Sequence, residues 1–381
     1  MERPKRILII ADGYSPLDRE RGLVGLKGGY QIFWYSFPKA DLKGLTGAIA
    51  PPMGQFRWFS FFFSPWYLKR TIQRIQPDLI HVFYAYHQLN NLVLNRFKPL
   101  VVTVMGGDVL SDQSFYGKKK WLTKKILEKV DIITSKSNFL DKVLQNIGDY
   151  ANKIRRVTWG VDTKQFYPEM DVRFLRERWK IEADDLVFLS PRNCQPLYNQ
   201  DLIIKAFSEY PSLHGTKKKA KLLIAEHFSD ESYVKSLRAL SMELGLQDKV
   251  YFIGSIPHQE MPAYFNLADV MVSVPSSDGM PQSLYEAMAC ESYPILWNLE
   301  SYRELIQDGV NGRLVEVGDT GALGEAMCWV AAHPEHRKTA AIMNRQRIVE
   351  VADKEGQDRI VLSIYEELLK KYAKYGYPDN G

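Results

Sequence analysis

Short apolar runs rich in β-branched residues alternate, in the first half of the chain, with longer stretches of helical periodicity. The runs lie at 7–10, 30–36, 79–84, 100–105 and 131–134, and the helical stretches at 68–75, 120–129 and 139–147. Strands that are apolar along their whole length and separated by helices are typical of a parallel sheet covered on both faces. The first half therefore predicts one α/β domain.

The second half repeats this alternation. Its apolar runs lie at 186–190, 221–225, 250–253, 270–274 and 294–297, and its helical stretches at 201–210, 231–244, 281–290 and 322–331. We therefore predict an α/β protein with two Rossmann-like, doubly wound domains that face a cleft. Open α/β sheets bind their ligands at the carboxyl ends of the strands, so the loops that follow the strands are where chemistry is expected.

The segment between the two halves, 159–168, is punctuated by glycine, aspartate and proline. Such residues mark turns and linkers, so we place a first domain at 1–168 and a second at 169–355. The final part, 356–381, carries an amphipathic pattern at 360–372. We expect it to form a helix that packs back on the first domain.

Composition narrows the class of protein. Hydrophobic residues make up 45% of the chain and charged residues 25%, as in ordinary globular proteins. The net charge of +5 is too small to indicate nucleic-acid binding, and no motif for it is present. The three cysteines lack CxxC spacing, and no apolar run reaches 18 residues. We expect a cytoplasmic protein without a bound metal.

A segment near residue 280 combines a strand end, a tight loop and a helix start. Ser277 or Asp278 can cap the helix, and Gly279 permits an unusual turn. Pro281 suits the first helical position, and the exposed N–H groups of such a helix start bind anions such as a diphosphate. Further along the helix, Glu286 can accept bonds from two ribose hydroxyls. A capped helix with a surface glutamate is the alternative interpretation.

Further motifs accompany this segment in a fixed order. They are 160–162 with Phe166 and Pro168, 252–258, 268–270, Glu-Ala-Met-Ala at 286–289, and 304–315. This set resembles the retaining GT-B glycosyltransferases of family 4, and the resemblance is good over about 155–335. It implies a GT-B fold and sugar transfer with retention from a nucleotide-sugar donor, without a cofactor or metal. UDP-, GDP- and ADP-sugars all remain open.

The resemblance also implies roles in the second domain. Asp278, where the family usually has glutamate, would contact the donor sugar, and Glu286 would hold the ribose. Arg192 matches the family's diphosphate-binding arginine, although alone it could be a surface salt bridge. Tyr198 stands where a lysine is usual, so Arg192, the helix N-terminus and Asn199 would stabilise the leaving group. The remaining donor-binding candidates are Gly279, Met280, Pro281, Gln282 and Ser283.

The first domain carries the acceptor-side candidates. These are Gly13, Met105, Gly106, Gly107 and His87. Residues 103–109 resemble the family's strand-end motif, with Met105 where many members have a histidine that contacts the donor sugar. Asp108 is a third catalytic candidate beside Asp278 and Arg192, and it could equally cap a helix.

Aromatic residues flanked by cations fill 57–70, and lysines are dense at 118–125. Aromatic side chains suit a membrane interface, and lysines attract anionic headgroups. We therefore expect either peripheral docking on the inner membrane face, towards a lipid-linked acceptor, or an aromatic core with a solvated helix face.

The predicted function is transfer of a sugar from a nucleotide-sugar donor to a glycan, lipid-linked or small-molecule acceptor. Electrostatic stabilisation of the departing diphosphate would supply most of the catalysis. Three alternatives stay open: a GT-B epimerase or phosphorylase, a catalytically silent sugar-binding relative, and a basic nucleic-acid binder.

Overall fold

The computed structural model describes residues 3–13, 15–36, 45–49, 57–85, 87–110, 115–210 and 219–375. At 16, 17, 57–62, 88, 115–120 and 375 it describes the backbone alone. The chain forms two units, one comprising Met1–Trp159 with Glu355–Gly381 and the other Gly160–Lys354. Each unit is described separately below.

The first unit is built on a parallel sheet. Its strands are β1 (Arg6–Ile10), β2 (Gln31–Tyr35), β3 (Gly47–Ile49), β4 (Leu79–Phe83), β5 (Leu100–Thr103), β6 (Ile132–Ser135) and β7 (Ile154–Arg156). Its helices before the crossing to the second unit are α1 (Pro16–Gly22), α2 (Val24–Lys27), α3 (Arg57–Ile75), α4 (Asn91–Leu94), α5 (Phe115–Lys129) and α6 (Asn138–Ile147). The strand order is β3-β2-β1-β4-β5-β6-β7, so the order reverses between β1 and β4.

The central strands of this sheet are buried along their whole length because both faces are covered. One face packs on a cluster that includes Leu68 and Ile72 of α3 and Ile126 of α5. The other face packs on a cluster that includes Val24 of α2 and Tyr365 near the end of the chain. Continuous apolar sequence in β4 and β5 is therefore the signature of a sheet with no solvent face.

The second unit repeats this architecture. Its strands are β8 (Leu186–Ser190), β9 (Ala220–Ile224), β10 (Val250–Phe252), β11 (Val270–Ser273), β12 (Tyr293–Trp297) and β13 (Arg313–Val315). Its helices are α7 (Arg173–Arg178), α8 (Gln200–Glu209), α9 (Glu231–Glu243), α10 (Met261–Leu267), α11 (Gln282–Ala289), α12 (Thr320–Ala332) and α13 (Pro334–Ala352). The parallel strand order is β10-β9-β8-β11-β12-β13, which reverses between β8 and β11.

The predicted α/β class, with two Rossmann-like parallel-sheet domains, is confirmed. The apolar runs correspond to ten strands of the two sheets. The pattern missed β3, β7 and β13, which have three residues each and include half-exposed positions. A short strand at the edge of a sheet is covered less completely, so it needs no continuous apolar run.

The structure corrects the domain boundary, which falls between Trp159 and Gly160 and not at 168/169. Val161 N donates to Ala352 O (2.8 Å), and Lys354 N donates to Val161 O (3.0 Å). Gly160 has a φ of +63°, and a Cβ there would lie 2.6 Å from Ala352 O. Turn residues in the sequence mark a linker, but they do not say on which domain the linker packs.

The last helix, α14 (Lys354–Tyr375), belongs to the first unit from Glu355 onward. The hydroxyl of Tyr365 hydrogen-bonds with His81 Nδ1 in β4 at 2.6 Å. Thr158 N donates to Gln357 Oε1 at 2.9 Å. The chain thus returns to the unit in which it began.

Within the described parts of the chain, every helix is too short or too polar to span a bilayer. Nor do those parts contain a group of three or more His, Cys, Asp or Glu side chains arranged to hold a metal ion.

Candidate functional site

The strand order of the second unit reverses between β8 and β11, so the loops after these two strands diverge from a common point at the carboxyl edge of the sheet. Such a switch point is where open α/β sheets bind ligands. Arg192 lies in the loop after β8, and Asp278 lies in the loop after β11. Two charged side chains predicted from distant parts of the sequence are thereby brought together.

Arg192 and Asp278 form an ion pair with 2.7 Å between Nη2 and Oδ2, and their side chains are only 13% and 9% exposed. The ring of Tyr198 lies beneath the guanidinium, with Cζ 4.7 Å from the ring centroid. Tyr302, which the sequence did not indicate, donates its hydroxyl to Asp278 Oδ2 at 3.2 Å. Arg192 is therefore held from two sides.

Burial opposes the charge of Arg192, but Asp278, Tyr302 and Tyr198 outweigh it and raise the pKa of the guanidinium. Arg192 Nη1 is buried and has no hydrogen-bond partner among the described residues. A buried, unpaired guanidinium nitrogen costs free energy. The arrangement is therefore suited to accepting an anion at that nitrogen.

The start of α11 differs from the prediction. Pro281 precedes the helix instead of occupying its first position, and no side chain caps the helix. Asp278 does not cap because it lies three residues before Pro281, which occupies the N-cap position. The left-handed backbone lies at Met280, with a φ of 82°, and was predicted at Gly279. The uncapped N-terminus leaves backbone N–H groups without side-chain acceptors, which favours an anion.

Several residues near this loop hold it in place. Asn199, at a φ of 52°, donates its side-chain amide to Val274 O (2.8 Å) and to Ser276 Oγ (3.1 Å). Its amide group therefore ties the loop after β8 to the loop after β11. Gln282 donates to the carbonyl of Gly160, within the same unit. Ser283 Oγ is buried and has no hydrogen-bond partner in the described part of the chain.

Glu286 lies on α11 and is only 5% exposed. Its Oε1 lies 2.9 Å from His258 Nε2, and this hydrogen bond raises the pKa of His258 despite partial burial. The sequence suggested no role for His258, although it ends the motif at 252–258. The pair arises because the loop after β10 lies beside α11, which a linear motif does not reveal.

In the first unit, the carboxylate of Asp108, the third catalytic candidate, is engaged by backbone groups, and a catalytic role for it stays a prediction. Its side chain is buried, and its oxygens accept from the backbone N–H groups of Ala85 (2.7 Å), Met105 (3.0 Å) and Gly106 (2.9 Å). Burial raises the pKa of this carboxyl, and the backbone bonds oppose the shift. Asp108 therefore shapes the loop between β5 and α5 from within.

The acceptor-side glycines have different surroundings. Gly106 has a φ of +114°, a conformation that L side chains rarely adopt. Gly107 is exposed, and a Cβ there would meet no atom within 4 Å. Gly13 is buried, and its carbonyl accepts a bond from Arg19. Among the described residues of this loop, Gly107 therefore has open space beside its backbone.

His87 and Met105 also lie at the carboxyl edge of the first sheet. His87 Nε2 hydrogen-bonds with the carbonyl of Phe83 at 2.7 Å, and burial lowers the pKa of the ring. Met105 Sδ lies 3.9 Å from Nη1 of Arg21. The sequence did not indicate Arg21, which is buried. Asp18 is also buried, and burial raises its pKa to about 6. A cation thus lies beside the position where the family usually has histidine.

Two family models match consecutive parts of the chain. The model of glycosyl transferases group 1 matches residues 171–347, and that of glycosyltransferase family 4 matches residues 9–165. The chain belongs to the group 1, family 4 glycosyltransferases of the GT-B type. The resemblance inferred from the motifs is thereby confirmed, including the first half, where the motifs were weaker.

Individual relatives of this glycosyltransferase are distant. A D-inositol 3-phosphate glycosyltransferase from Acidothermus cellulolyticus is 23% identical over 76% of this chain. The chain spans 58% to 66% of the length of the first three curated relatives that it matches.

Solved structures show the same fold. A sucrose-phosphate synthase from Thermosynechococcus elongatus has a TM-score of 0.81 and 20% identity, covering 96% of this chain and 100% of its own. HepE from Anabaena, solved in complex with UDP and glucose, has a TM-score of 0.78 and 18% identity over the same shares. At these identities the likeness establishes the fold and leaves the substrates open.

Proposed function

We propose that this glycosyltransferase transfers a sugar from a nucleotide-sugar donor, with retention at the anomeric carbon, and that the second unit binds the donor. The observation that carries the proposal is the buried, unpartnered Nη1 of Arg192 next to the uncapped loop and helix start after β11. Both features are suited to a diphosphate. The complex of HepE with UDP and glucose supports the choice of a nucleotide-linked ligand.

In the proposed reaction the bond between the anomeric carbon and the diphosphate oxygen breaks, and the acceptor hydroxyl then attacks from the same face. Arg192 and the N-terminus of α11 would neutralise the charge that develops on the departing diphosphate. Asp278 keeps the guanidinium in place through the 2.7 Å ion pair. Glu286 would accept bonds from the ribose hydroxyls. The acceptor hydroxyl loses its proton as it attacks, and the departing diphosphate oxygen, an anion on the same face, accepts that proton.

The donor-side proposal is tested by thermal shift with UDP, GDP and ADP, separately, on the wild type and on Glu286→Ala. We expect one nucleotide to raise the melting temperature of the wild type, and the shift to shrink in the variant. Equal shifts in both proteins would contradict the proposed site.

The reaction itself is tested by incubating the matching nucleotide-sugar with and without acceptor. We expect slow hydrolysis alone and a retained anomeric configuration in the product, read by NMR. A free epimerised sugar or a sugar phosphate would instead indicate the epimerase or phosphorylase alternatives. No turnover with any donor would indicate a silent relative.

We also propose that the first unit docks on an anionic membrane surface, as the aromatic and basic segments suggest. Three aromatic side chains among the described residues of the first unit are more than half exposed: Phe63 (58%), Trp66 (56%) and Trp121 (56%). Arg70 lies over the ring of Trp66, with Cζ 4.7 Å from the centroid. Exposed aromatics of this size are favourable at a lipid interface and unfavourable in water.

The three aromatics lie on α3 and α5, which both contact α4 on the same face of the sheet. Crossover helices run antiparallel to their strands, so the first halves of α3 and α5 point to the carboxyl edge. Exposed cations accompany them at Lys69, Arg70, Lys124 and Lys125. The side chains of 57–62 and of the lysines at 118–120 lie outside the described residues.

Sedimentation with vesicles of phosphatidylcholine, with or without phosphatidylglycerol, tests this proposal. We expect binding to the anionic vesicles that falls with salt, and loss of binding in Trp66→Ala with Trp121→Ala. Phe174→Ala, which removes an aromatic that is 59% exposed in the second unit, is the matched control. Equal binding by the tryptophan variant, or none by the wild type, would contradict the proposal. The location of the protein in the cytoplasm, at the inner membrane face, also stays a prediction.

A further inference from the structure

The side chains of His258 and Glu286 come from different segments of the second unit and form a largely buried hydrogen-bonded pair. Glu286 is 5% exposed, and the side chain of His258 is 30% exposed. The two side chains come from different segments, since His258 opens a 3-10 turn at His258–Glu260 and Glu286 lies in α11. Among the described residues, His258 is the one side chain that hydrogen-bonds the carboxylate.

The imidazole is held in a defined orientation. Its ring packs against Phe166, with centroids 5.4 Å apart. Pro257, immediately before it, has an extended backbone with a φ of −56° and a ψ of 139°. Packing on one side and the hydrogen bond to Glu286 on the other leave the ring few alternative rotamers. The contact with Phe166 and the hydrogen bond to Glu286 therefore keep Nε2 of His258 directed at the carboxylate.

The titratable groups around the pair are His227 and Cys290. His227 Nδ1 lies 3.2 Å from Ser255 Oγ, and burial lowers the pKa of His227 while Glu286 raises it and His258 lowers it. Burial, followed by the charge of Glu286, raises the pKa of Cys290. Neither group is hydrogen-bonded to the carboxylate of Glu286, so orientation of this carboxylate falls to His258.

We propose that His258 is the positioning residue for the ribose-binding carboxylate: its Nε2 fixes Oε1 of Glu286 and leaves Oε2 for the ribose hydroxyls. This inference rests on the proposed donor site. A glutamate side chain has several rotamers, and ordering it on binding costs free energy. A carboxylate ordered beforehand binds the diol more tightly. The effect belongs to donor binding and not to the chemical step.

Two substitutions separate this role from packing. His258→Phe keeps a ring against Phe166 but has no N–H, whereas His258→Gln keeps an N–H donor but no ring. The probe is the nucleoside diphosphate that stabilises the wild type, tested as UDP, GDP or ADP alone by calorimetry. We expect His258→Phe to bind it about tenfold more weakly and His258→Gln within about threefold of wild type. At saturating donor, kcat should change by less than about twofold.

A pH series adds a readout that a packing role would not move. The pKa of His258 is raised by Glu286 in the folded protein, so its stabilisation is fully present below about pH 6.5 and is lost as the pH rises through the higher folded value. The melting temperature of the wild type should therefore exceed that of His258→Gln by more at pH 6 than at pH 8. An equal difference at both values would contradict the ion pair.

Glu286→Gln and the double variant decide what has failed if an expectation is not met. If His258 acts through Glu286, the double variant should bind the nucleotide about as weakly as Glu286→Gln alone. If Glu286→Gln weakens binding and His258→Phe does not, the positioning role is wrong and the donor site stands. If neither substitution weakens binding, the proposed donor site itself is wrong. His333→Phe, which alters a histidine stacked on Trp329, is the matched control and should bind as the wild type does.

Discussion

The two sheets reverse their strand order in the same way, yet polar residues in the loops at their carboxyl edges have different kinds of partner. In the second unit, the side chains of Arg192 and Asp278 form an ion pair. Nη1 of Arg192 has no hydrogen-bond partner among the described residues. In the first unit, Asp108 and His87 hydrogen-bond to backbone groups at and after the ends of β4 and β5. The second unit thus keeps a guanidinium nitrogen available, whereas Asp108 and His87 of the first unit hold its loops.

This difference explains why motifs locate one half better than the other. The proposed donor site needs a cation for the diphosphate and a carboxylate for the ribose at fixed positions, so Arg192 and Glu286 follow a spacing that the sequence displays. A loop that offers a ligand only its backbone needs a stable conformation and no particular side chains. Many different sequences meet that requirement, so they leave no clear motif. An acidic residue such as Asp108 resembles a catalytic group in the sequence, and in the fold its carboxylate also accepts three backbone hydrogen bonds.

The largest effect is expected from Arg192→Ala. Loss of the guanidinium removes the proposed charge stabilisation of the leaving group, so kcat/KM for the donor should fall by about 10²–10³-fold. Steady-state rates of donor turnover measure this. Arg238→Ala removes another arginine of the same unit, paired with Glu226 at 2.7 Å, and should leave the rate within a few-fold. Similar losses in the two variants would contradict a specific role of Arg192, on which the contrast between the units depends.

Asp108→Ala should act on stability instead. It leaves three backbone N–H groups in the first unit without acceptors, at a cost of about 3 kcal/mol in the free energy of unfolding. Urea denaturation measures this cost, and calorimetry should find the nucleotide affinity of the folded variant unchanged. Asp171→Ala, at an exposed carboxylate, is the control and should change little. A stable Asp108→Ala that cannot turn over donor would return Asp108 to catalysis.

Lowering the pH should distinguish the buried His81 from His258 of the candidate site, because the two rings take up a proton at different pH values. Burial lowers the pKa of His81 to about 3, below the ordinary value of about 6.5 expected when unfolded. Its stabilisation is therefore complete above pH 6.5 and is lost as the pH falls, at about 1.4 kcal/mol per pH unit at most, until about pH 3. NMR should find the His81 ring neutral down to pH 4, while His258 gains its proton above pH 6.5. A titration of His81 near pH 6 would contradict this.

The smallest effect concerns Tyr198, which stands where a lysine is usual. Its ring supports Arg192 through a cation–π contact, which contributes about 0.5–1 kcal/mol. Tyr198→Ala should weaken nucleotide binding about three- to fivefold, and Tyr198→Phe, which keeps the ring, should weaken it less. Calorimetry measures both. An equal loss in the two variants would assign the effect to the hydroxyl instead.

Much of the fold could be predicted because a buried parallel sheet constrains every residue of its strands. Val270–Ser273 must be apolar or small on both faces, and the sequence displays this directly. The three-residue edge strand Arg313–Val315 is covered less and leaves no such record. The start of α11 was misjudged for a different reason. Ser277 and Asp278 can cap a helix, but the loop extends past them and the helix begins only after Pro281.

The order of the motifs along the chain already identified the family, the α/β class and the segment that carries Asp278 and Glu286. These properties depend on local spacing and on continuous burial, which are written in the linear sequence. The tertiary structure decided which charges meet: Arg192 with Asp278, and His258 with Glu286. It also decided that Gly160 belongs to the second unit. Such pairings join residues 28 to 86 positions apart, and they exist only after the strands have set the loops side by side.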